Sequence, residues 1–319
     1  MRYLSIFILF SLFIFAQESG KELDFMTIGA GARPAGIGGS FTGIADDANS
    51  VYWNNGGMCL VRNSEITYMH ADLYFGTTFD YISCVLPVKK IRDKDSEANN
   101  FIGFAMILAS TGNIPITDTI DDYNRIIYEG IGGFRAGSYI IGYGRRINKK
   151  ITSGIGIKII DMELIKEYGK GYGIDIGFLY SNMIKNLSMG ISLKDLTITK
   201  IKWSTGTIDN IAPNVRIGLS YRILKEEKEG GWIGKEGIVF SFDVDEQIKI
   251  EREKRWHKPR YHFGAEWKLV DVVPIRVGFD DYNFTAGIGF IAEHINVDYA
   301  YVSHQELKTT HRISITLKI

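Results

Sequence analysis

From about residue 63 onward, apolar and polar side chains alternate with a period of two, the spacing that sends successive side chains to opposite faces of a β-strand. Between 173 and 180, Ile174, Ile176, Phe178 and Tyr180 alternate with Gly173, Asp175 and Gly177. Between 186 and 194, Leu187, Met189, Ile191 and Leu193 alternate with Asn186, Ser188, Gly190, Ser192 and Lys194. The last third keeps the rhythm, with Tyr261, Phe263, Ala265, Trp267 and Leu269 set against His262, Gly264, Glu266 and Lys268, and Ile313, Ile315, Leu317 and Ile319 against Arg312, Ser314, Thr316 and Lys318. No segment carries a helical stripe. Fourteen runs of this kind are predicted, near 64–75, 77–88, 100–112, 133–147, 150–160, 171–181, 185–195, 211–222, 237–245, 259–269, 272–279, 282–291, 294–303 and 309–319.

An even number of segments about 9 to 12 residues long predicts an all-β fold, a transmembrane antiparallel up-and-down β-barrel in which each tilted strand crosses the hydrocarbon layer and the next returns. A soluble sandwich alternates as well, so the composition of the two faces has to decide between them. The polar face carries many glycines with Asp175, Asp298, Glu266, Arg216 and Arg312; the other is Ile, Val, Leu and Phe with Tyr or Trp near the ends. That division fits a lipid-facing band with aromatic girdles around a polar or plugged lumen, and 18 Phe, 17 Tyr and 5 Trp are enough to build the girdles.

With the last strand ending in the periplasm, the connections near 148–150, 182–184, 270–271 and 292–293 are short periplasmic turns, and those near 113–132, 161–170, 196–210 and 246–258 are longer external loops. The charged stretches 89–99 and 223–236 break this rule, being long yet periplasmic, and read either as solvated loops or as partner-binding ones.

The first residues differ in kind. Residues 4–15 form an apolar run behind Arg2 and are followed by Ala16, which predicts a signal peptide over residues 1–16, with cleavage after Ala16 or slipping toward Ser19 or Gly20. Twelve residues are too few for a membrane-spanning helix, which needs about 20. Without residues 1–16 the chain has 36 basic against 37 acidic residues, a formal net charge of −1, which gives nucleic acid no basic field to meet. Cys59 and Cys84 are open to one disulfide or to two free thiols.

Residues 29–54 suit neither a helix core nor a metal nor a nucleophile. Gly29, Gly31, Gly36, Gly38, Gly39 and Gly43 permit tight turns and close backbone approach, and Asp46, Asp47 and Asn49 offer turn and cap chemistry ahead of Tyr52-Trp53-Asn54. This segment resembles the N-terminal motif of the PorV/PorQ family, relatives of FadL-type outer-membrane transporters, in which a glycine-rich stretch leads to an acidic pair and then Tyr-Trp-Asn. The family continues Asn-Pro-Ala-Gly where this chain reads Asn54-Asn55-Gly56-Gly57. Tyr261-His-Phe-Gly-Ala-Glu-Trp267, Pro274-Ile-Arg-Val-Gly-Phe279, Ala286-Gly-Ile-Gly-Phe290, Val297-Asp-Tyr-Ala-Tyr301 and Thr310-His-Arg-Ile-Ser314 are similar to the C-terminal half of the same family, in the same order. The resemblance implies residues 17–62 as a plug inside a barrel of residues 63–319, located in the cell outer membrane. Arg33 is placed to pair with Asp46 and Asp47 and latch the plug to the wall.

Candidate enzyme chemistry is thin, and no catalytic residue is assigned. Gly29–Gly36 has no GK[ST] after it and no βαβ alternation around it, so a phosphate cradle is not indicated. Six scattered histidines show no metal-ligand spacing, no Ser/His/Asp order is readable, and no cofactor is implied. Two functions follow from the resemblance: an accessory or shuttle in protein secretion and surface attachment, with exported proteins and secretion machinery as partners, or a passive channel for small hydrophobic molecules such as fatty acids. Outer-membrane lipid surrounds the barrel in either. A channel requires an apolar pocket beside the plug and a wall defect, for which Gly154, Gly156 and Gly287 are the candidate kinks. A soluble secreted β-protein is the third class.

Overall fold

The computed structural model describes residues 25–88, 98–120, 126–223, 237–248, 259–269, 271–305 and 307–319. The signal-peptide reading of residues 1–16 lies outside them, as do most of the charged stretches 89–99 and 223–236 and of the connection 246–258.

Sixteen strands follow the N-terminal segment: β1 (Glu65–Asp72), β2 (Thr77–Val88), β3 (Asn100–Ile120), β4 (Ile126–Arg146), β5 (Ile151–Leu164), β6 (Glu167–Ile184), β7 (Leu187–Lys194), β8 (Thr199–Trp203), β9 (Ile208–Ile211), β10 (Asn214–Ile223), β11 (Ile238–Gln247), β12 (Arg260–Leu269), β13 (Val273–Asp280), β14 (Asn283–Ile291), β15 (Ile295–Val302) and β16 (Thr310–Lys318). Fourteen of them, β1–β7 and β10–β16, form one antiparallel sheet that closes on itself through β1–β16 and β5–β6, so the barrel has no free edge around its circumference. The remaining pair, β8 and β9, is a hairpin that joins the sheet at the N-terminal end of β6, where Gly169 pairs with Trp203.

The fourteen predicted runs coincide with the barrel strands, and the larger departures are at one end; at the other, β6 runs to Ile184, so the expected turn 182–184 is strand and Lys185–Asn186 makes the turn. β3 and β4 have 21 residues each, β5 has 14 and β6 has 18, whereas β13 and β15 have 8. The expected long loop 161–170 is therefore mostly strand, with Ile165–Lys166 as its turn, and the expected loop 196–210 contains β8 and most of β9. β3 is nine residues longer than its neighbour β2 and β4 seven longer than β5, and at about 3.3 Å per residue this carries the β3–β4 hairpin roughly 25 Å further than its neighbours.

The barrel is inverted relative to a soluble core. On β5, Ile157 is 58 % exposed and the adjacent Lys158 is fully buried; on β16, Ile313 is 53 % exposed and Arg312 is 4 %. The predicted polar face, Asp175, Arg216, Glu266, Asp298 and Arg312, is buried inside. Within it the lumen has two characters. Tyr81, Phe101, Ile107 and Ile140, on β2–β4, present an apolar surface, and β10–β16 present charges. The chain from Phe25 to Val61 occupies the space between. No helix among the described residues is long and apolar enough to cross a membrane.

Candidate functional site

Residues 29–59 are all buried or half-buried, although they form only short pieces of structure: a 3-10 turn (Phe25–Thr27), helix α1 (Ala32–Gly36), helix α2 (Ser50–Trp53) and a second 3-10 turn (Asn55–Leu60). Pro34 is tolerated in α1 because a first-turn N–H has no helical partner to lose. α1 leans on β13–β16 and the second 3-10 turn on β3–β6, so the segment spans the lumen.

Close backbone contact with the wall explains the glycine content. Gly38 has a φ of +65°, and a Cβ there would overlap the carbonyl oxygens of Phe263 and Phe279. Facing it, Gly264 and Gly278 of the wall leave room for the backbone of Ile37 and Gly38. The same apposition recurs where Gly36 meets Gly287, Gly43 meets Gly218 and Gly56 meets Gly177. Glycine on both sides lets two main chains approach without side chains between them.

Arg33 is the electrostatic centre. Its Nη1 donates to Asp46 Oδ1 at 2.7 Å and Asp47 Oδ2 at 2.8 Å, while Nε and Nη2 donate to the two oxygens of wall residue Glu266 at 2.9 and 3.0 Å. Glu266 also accepts from Arg276 Nε at 2.6 Å, and Arg276 reaches Asp298 at 2.7 Å. From the other side, Arg222 approaches Asp46 at 3.3 Å. Burial works against the Arg33 charge, but Asp46, Glu266 and Asp47 hold the guanidinium protonated above its ordinary value. The two adjacent acids are driven apart. Burial raises both; at Asp46 the Arg33 and Arg222 charges overcome it and the pKa lies below 3.8, whereas at Asp47 burial prevails over Arg33, with the Asp46 charge adding to it, and the pKa lies above 3.8.

Further polar contacts fix the rest of the segment. Arg312 donates to the carbonyls of Gly29 and Ile28 at 2.9 and 3.0 Å, Arg216 to that of Gly39 at 2.6 Å, and Asp243 accepts from Thr42 N at 3.0 Å. Trp53 Nε1 donates to Ala30 O at 2.7 Å and Tyr52 Oη to Met26 O. Asn54 donates to Thr42 O and Phe178 O, and its Oδ1 caps the second 3-10 turn by accepting from Gly56 N. Gly31 sits beside Asn49 and donates to Met69 Sδ at 3.2 Å.

Beside Tyr52 and Trp53 is a small cavity of about 50 Å³ bordered by Met26, Lys194, Arg216, Asp245 and Arg260. Arg260 and Arg216 share Asp245 at 2.7 and 3.5 Å, and nearby Lys158 lies between Asp175 and Asp195 at 3.2 and 2.8 Å. Lys194 Nζ instead sits 3.6 Å from the Tyr52 ring centroid, with no carboxylate partner among the described residues. Among these residues no three His, Cys, Asp or Glu side chains converge as a metal site.

All twelve sequence-selected residues, Gly29, Gly31, Arg33, Gly36, Gly38, Gly39, Asp46, Asp47, Asn49, Tyr52, Trp53 and Asn54, thus fall in one buried segment. Two expectations need correcting, and the open choice at the cysteines is decided. Asn49 precedes α2 but makes no side-chain cap: its own backbone is already helical, φ −66° and ψ −14°, rather than extended as a capping residue's is, and its Nδ2 donates to Asp47 Oδ1. Cys59 lies inside and Cys84 takes an outward position on β2, so the thiols are on opposite sides of the wall and both are free. Gly154, Gly156 and Gly287 are not wall defects. The ladders β4–β5, β5–β6, β13–β14 and β14–β15 run through them without a register shift, and their missing side chains admit Asn55 and Gly36. Glu266, Arg216, Arg312 and Lys194 are legible as polar-face residues; Lys158, Asp243, Asp245 and Arg276 are not, although a charge at an inward strand position is the available signal.

No protein-family model matches the chain, and no curated protein sequence matches it either. Solved structures do match. The Pseudomonas putida toluene transporter TodX aligns with a TM-score of 0.58 at 11 % identity over 90 % of this chain and 96 % of that one. A TodX deletion mutant described as a monoaromatic hydrocarbon channel aligns at 0.57 with 9 % identity, over 90 % and 97 %. A FadL homologue of Pseudomonas aeruginosa aligns at 0.55 with 9 % identity, over 89 % and 97 %. At these identities what is shared is the fold, a FadL-like barrel.

Proposed function

We propose that this chain is an outer-membrane β-barrel that conducts small hydrophobic molecules, with residues 17–62 as a movable plug and residues 1–16 as its export signal. The observation that carries the membrane reading is the inversion of the wall. A side chain such as Ile157 outside and a charge such as Lys158 inside is the arrangement that suits an apolar surrounding and opposes an aqueous one. The likeness in fold to channels named for toluene and monoaromatic hydrocarbons supports small apolar solutes as cargo. The cavity beside the plug is lined by charges and rings rather than by the apolar surface expected of a channel, and the wall ladders at the expected kinks are unbroken. Passage therefore requires the plug to shift, and the Arg33 ion pairs are what hold it closed.

Ser40 of the plug and Ser241 of β11 provide the test, because their hydroxyl oxygens are 2.6 Å apart. Cysteines at both positions, in a background with Cys59 and Cys84 replaced by serine, are placed to form a bond of about 2.05 Å. In cells dependent on this barrel for uptake of toluene, oxidation is expected to stop uptake and reductant to restore it. Equal uptake in the locked and unlocked states would sink the movable-plug channel.

A second reading, the PorV/PorQ-type accessory of protein secretion and surface attachment, is favoured by one observation. The β3–β6 strands and the β8–β9 hairpin raise one side of the barrel far beyond the 8-residue strands opposite, giving a protein surface on which an exported partner can dock. Crosslinking in intact outer membranes separates the two: recurrent adducts of an exported protein on this projection support the accessory, and a barrel free of them supports the channel.

A further inference from the structure

Outward positions on β7 and β10–β13 border an open recess of about 460 Å³, and its shape follows from one residue. Ala265 of β12 stands in register between Phe240 of β11 and Val277 of β13, so the outer face has a methyl group where its neighbours carry large side chains. One step along the strands, Phe242, Phe263 and Phe279 form a continuous row, with Phe242 and Phe263 ring centroids 4.7 Å apart. Leu219 and Tyr221 close the side toward β10.

Apart from the Tyr221 hydroxyl at its edge, the recess has an almost wholly apolar surface. Ser220 and Ser241 border it, but their hydroxyls point inward, the first to Gly43 O at 2.9 Å and the second to Ser40 Oγ at 2.6 Å. The backbone groups around it are engaged in regular ladders. A headgroup or a peptide placed there would lose its hydrogen bonds without replacement, whereas methylene groups lose nothing and gain dispersion contacts. Ala265 also lies midway along Arg260–Leu269, away from both strand ends where headgroups would sit.

Resting on the outer-membrane reading above, we infer that this recess is a binding site for one acyl chain of a membrane lipid. It sits directly outside the plug. The wall between them is a single backbone layer, Gly264 and Gly278, with Ile37 and Gly38 on the inner side. A seated chain braces the wall where the plug turn presses on it.

The test uses the full chain in vesicles of phosphatidylethanolamine and phosphatidylglycerol containing a diazirine-labelled acyl probe. After illumination, adducts are expected to be severalfold more frequent on β11–β13 peptides than on the β16 face that carries Ile313 and Ile315. Ala265→Trp fills the recess from the outside and is expected to bring the β11–β13 yield down to that of β16, in a barrel that stays heat-modifiable on gels. Even labelling around the barrel, or an unchanged yield in A265W, overturns the site while leaving the membrane reading intact. Displacement of the probe from β11–β13 alone by toluene assigns the recess to solute and overturns the lipid. Release of the protein from native membranes by carbonate, without detergent, overturns both.

Discussion

Arg33 and Glu266, 233 residues apart in sequence, face each other through two parallel hydrogen bonds of 2.9 and 3.0 Å, joining the N-terminal segment to strand β12. The planar guanidinium matches the carboxylate in a way a point charge cannot. Both partners are tied onward, Arg33 to Asp46 and Asp47 and Glu266 to Arg276, so the contact is the centre of a network and its removal is felt on both sides.

Replacing Arg33 with alanine leaves Glu266, Asp46 and Asp47 with less positive charge than they need. Breaking a buried pair in this way costs about 3–5 kcal/mol. We predict that R33A exposes residues 25–62 to protease in folded barrels and raises solute uptake, while R33K, which keeps charge but loses the fork, falls between. Unchanged protection of the segment in R33A would falsify the latch.

Gly38→Ala meets two obstacles, a φ of +65° and the carbonyls of Phe263 and Phe279. The conformational part amounts to about 1–2 kcal/mol, and the overlap with two backbone atoms adds to it because neither can swing away. Gly206→Ala is the control: its φ is +90° with nothing within 4 Å of the added methyl. G38A is expected to lower the melting temperature well beyond G206A, and equal shifts would show that Gly38 does not hold the segment to the wall.

The split acidic pair gives a pH dependence with opposite signs. Asp46, depressed below 3.8, contributes stability that is present above that unfolded value and is lost as pH falls through the lower folded one. Asp47, raised above 3.8, contributes stability below that value and loses it as pH rises through the higher folded one. At neutral pH, D46N is therefore expected to destabilise the closed segment and D47N to be neutral or stabilising. The D47N advantage should vanish below pH 3.8, and melting curves of both variants across this range check the order.

Burial raises the Cys59 thiol to about 12, so almost no thiolate forms at neutral pH. Water-soluble maleimide is expected to leave Cys59 unmodified until the barrel is unfolded. Replacing both cysteines with serine should leave heat-modifiability unchanged under oxidising conditions, because no bond joins Cys59 to Cys84. A mobility shift on reduction of the native chain would contradict this.

The strand pattern was legible because alternation is local: each residue's face depends only on its neighbours, and the run 77–88 coincides with β2 at both ends. It failed where the outward face is no longer apolar, as at Asp161 and Glu163 of β5 and Lys170 of β6. In the outer parts of β3–β6 both faces accept polar residues, as in Thr117 and Glu163, so strand continues where the sequence reads as loop. β8 and β9, of 5 and 4 residues, are too short for a period to register.

For the segment inside, the sequence by itself determined the materials: glycines that permit close approach, an arginine with an acidic pair 13 and 14 residues away, and two aromatic rings before Asn54. Only the tertiary structure decided what they meet. Closing the barrel brings Glu266, Arg276 and Asp298 to Arg33, and Gly264, Gly278 and Gly287 to Gly38 and Gly36. Those pairings depend on which strands lie opposite one another across the lumen. That is set by strand number and ladder register around the whole circumference, quantities that no local pattern of side chains contains.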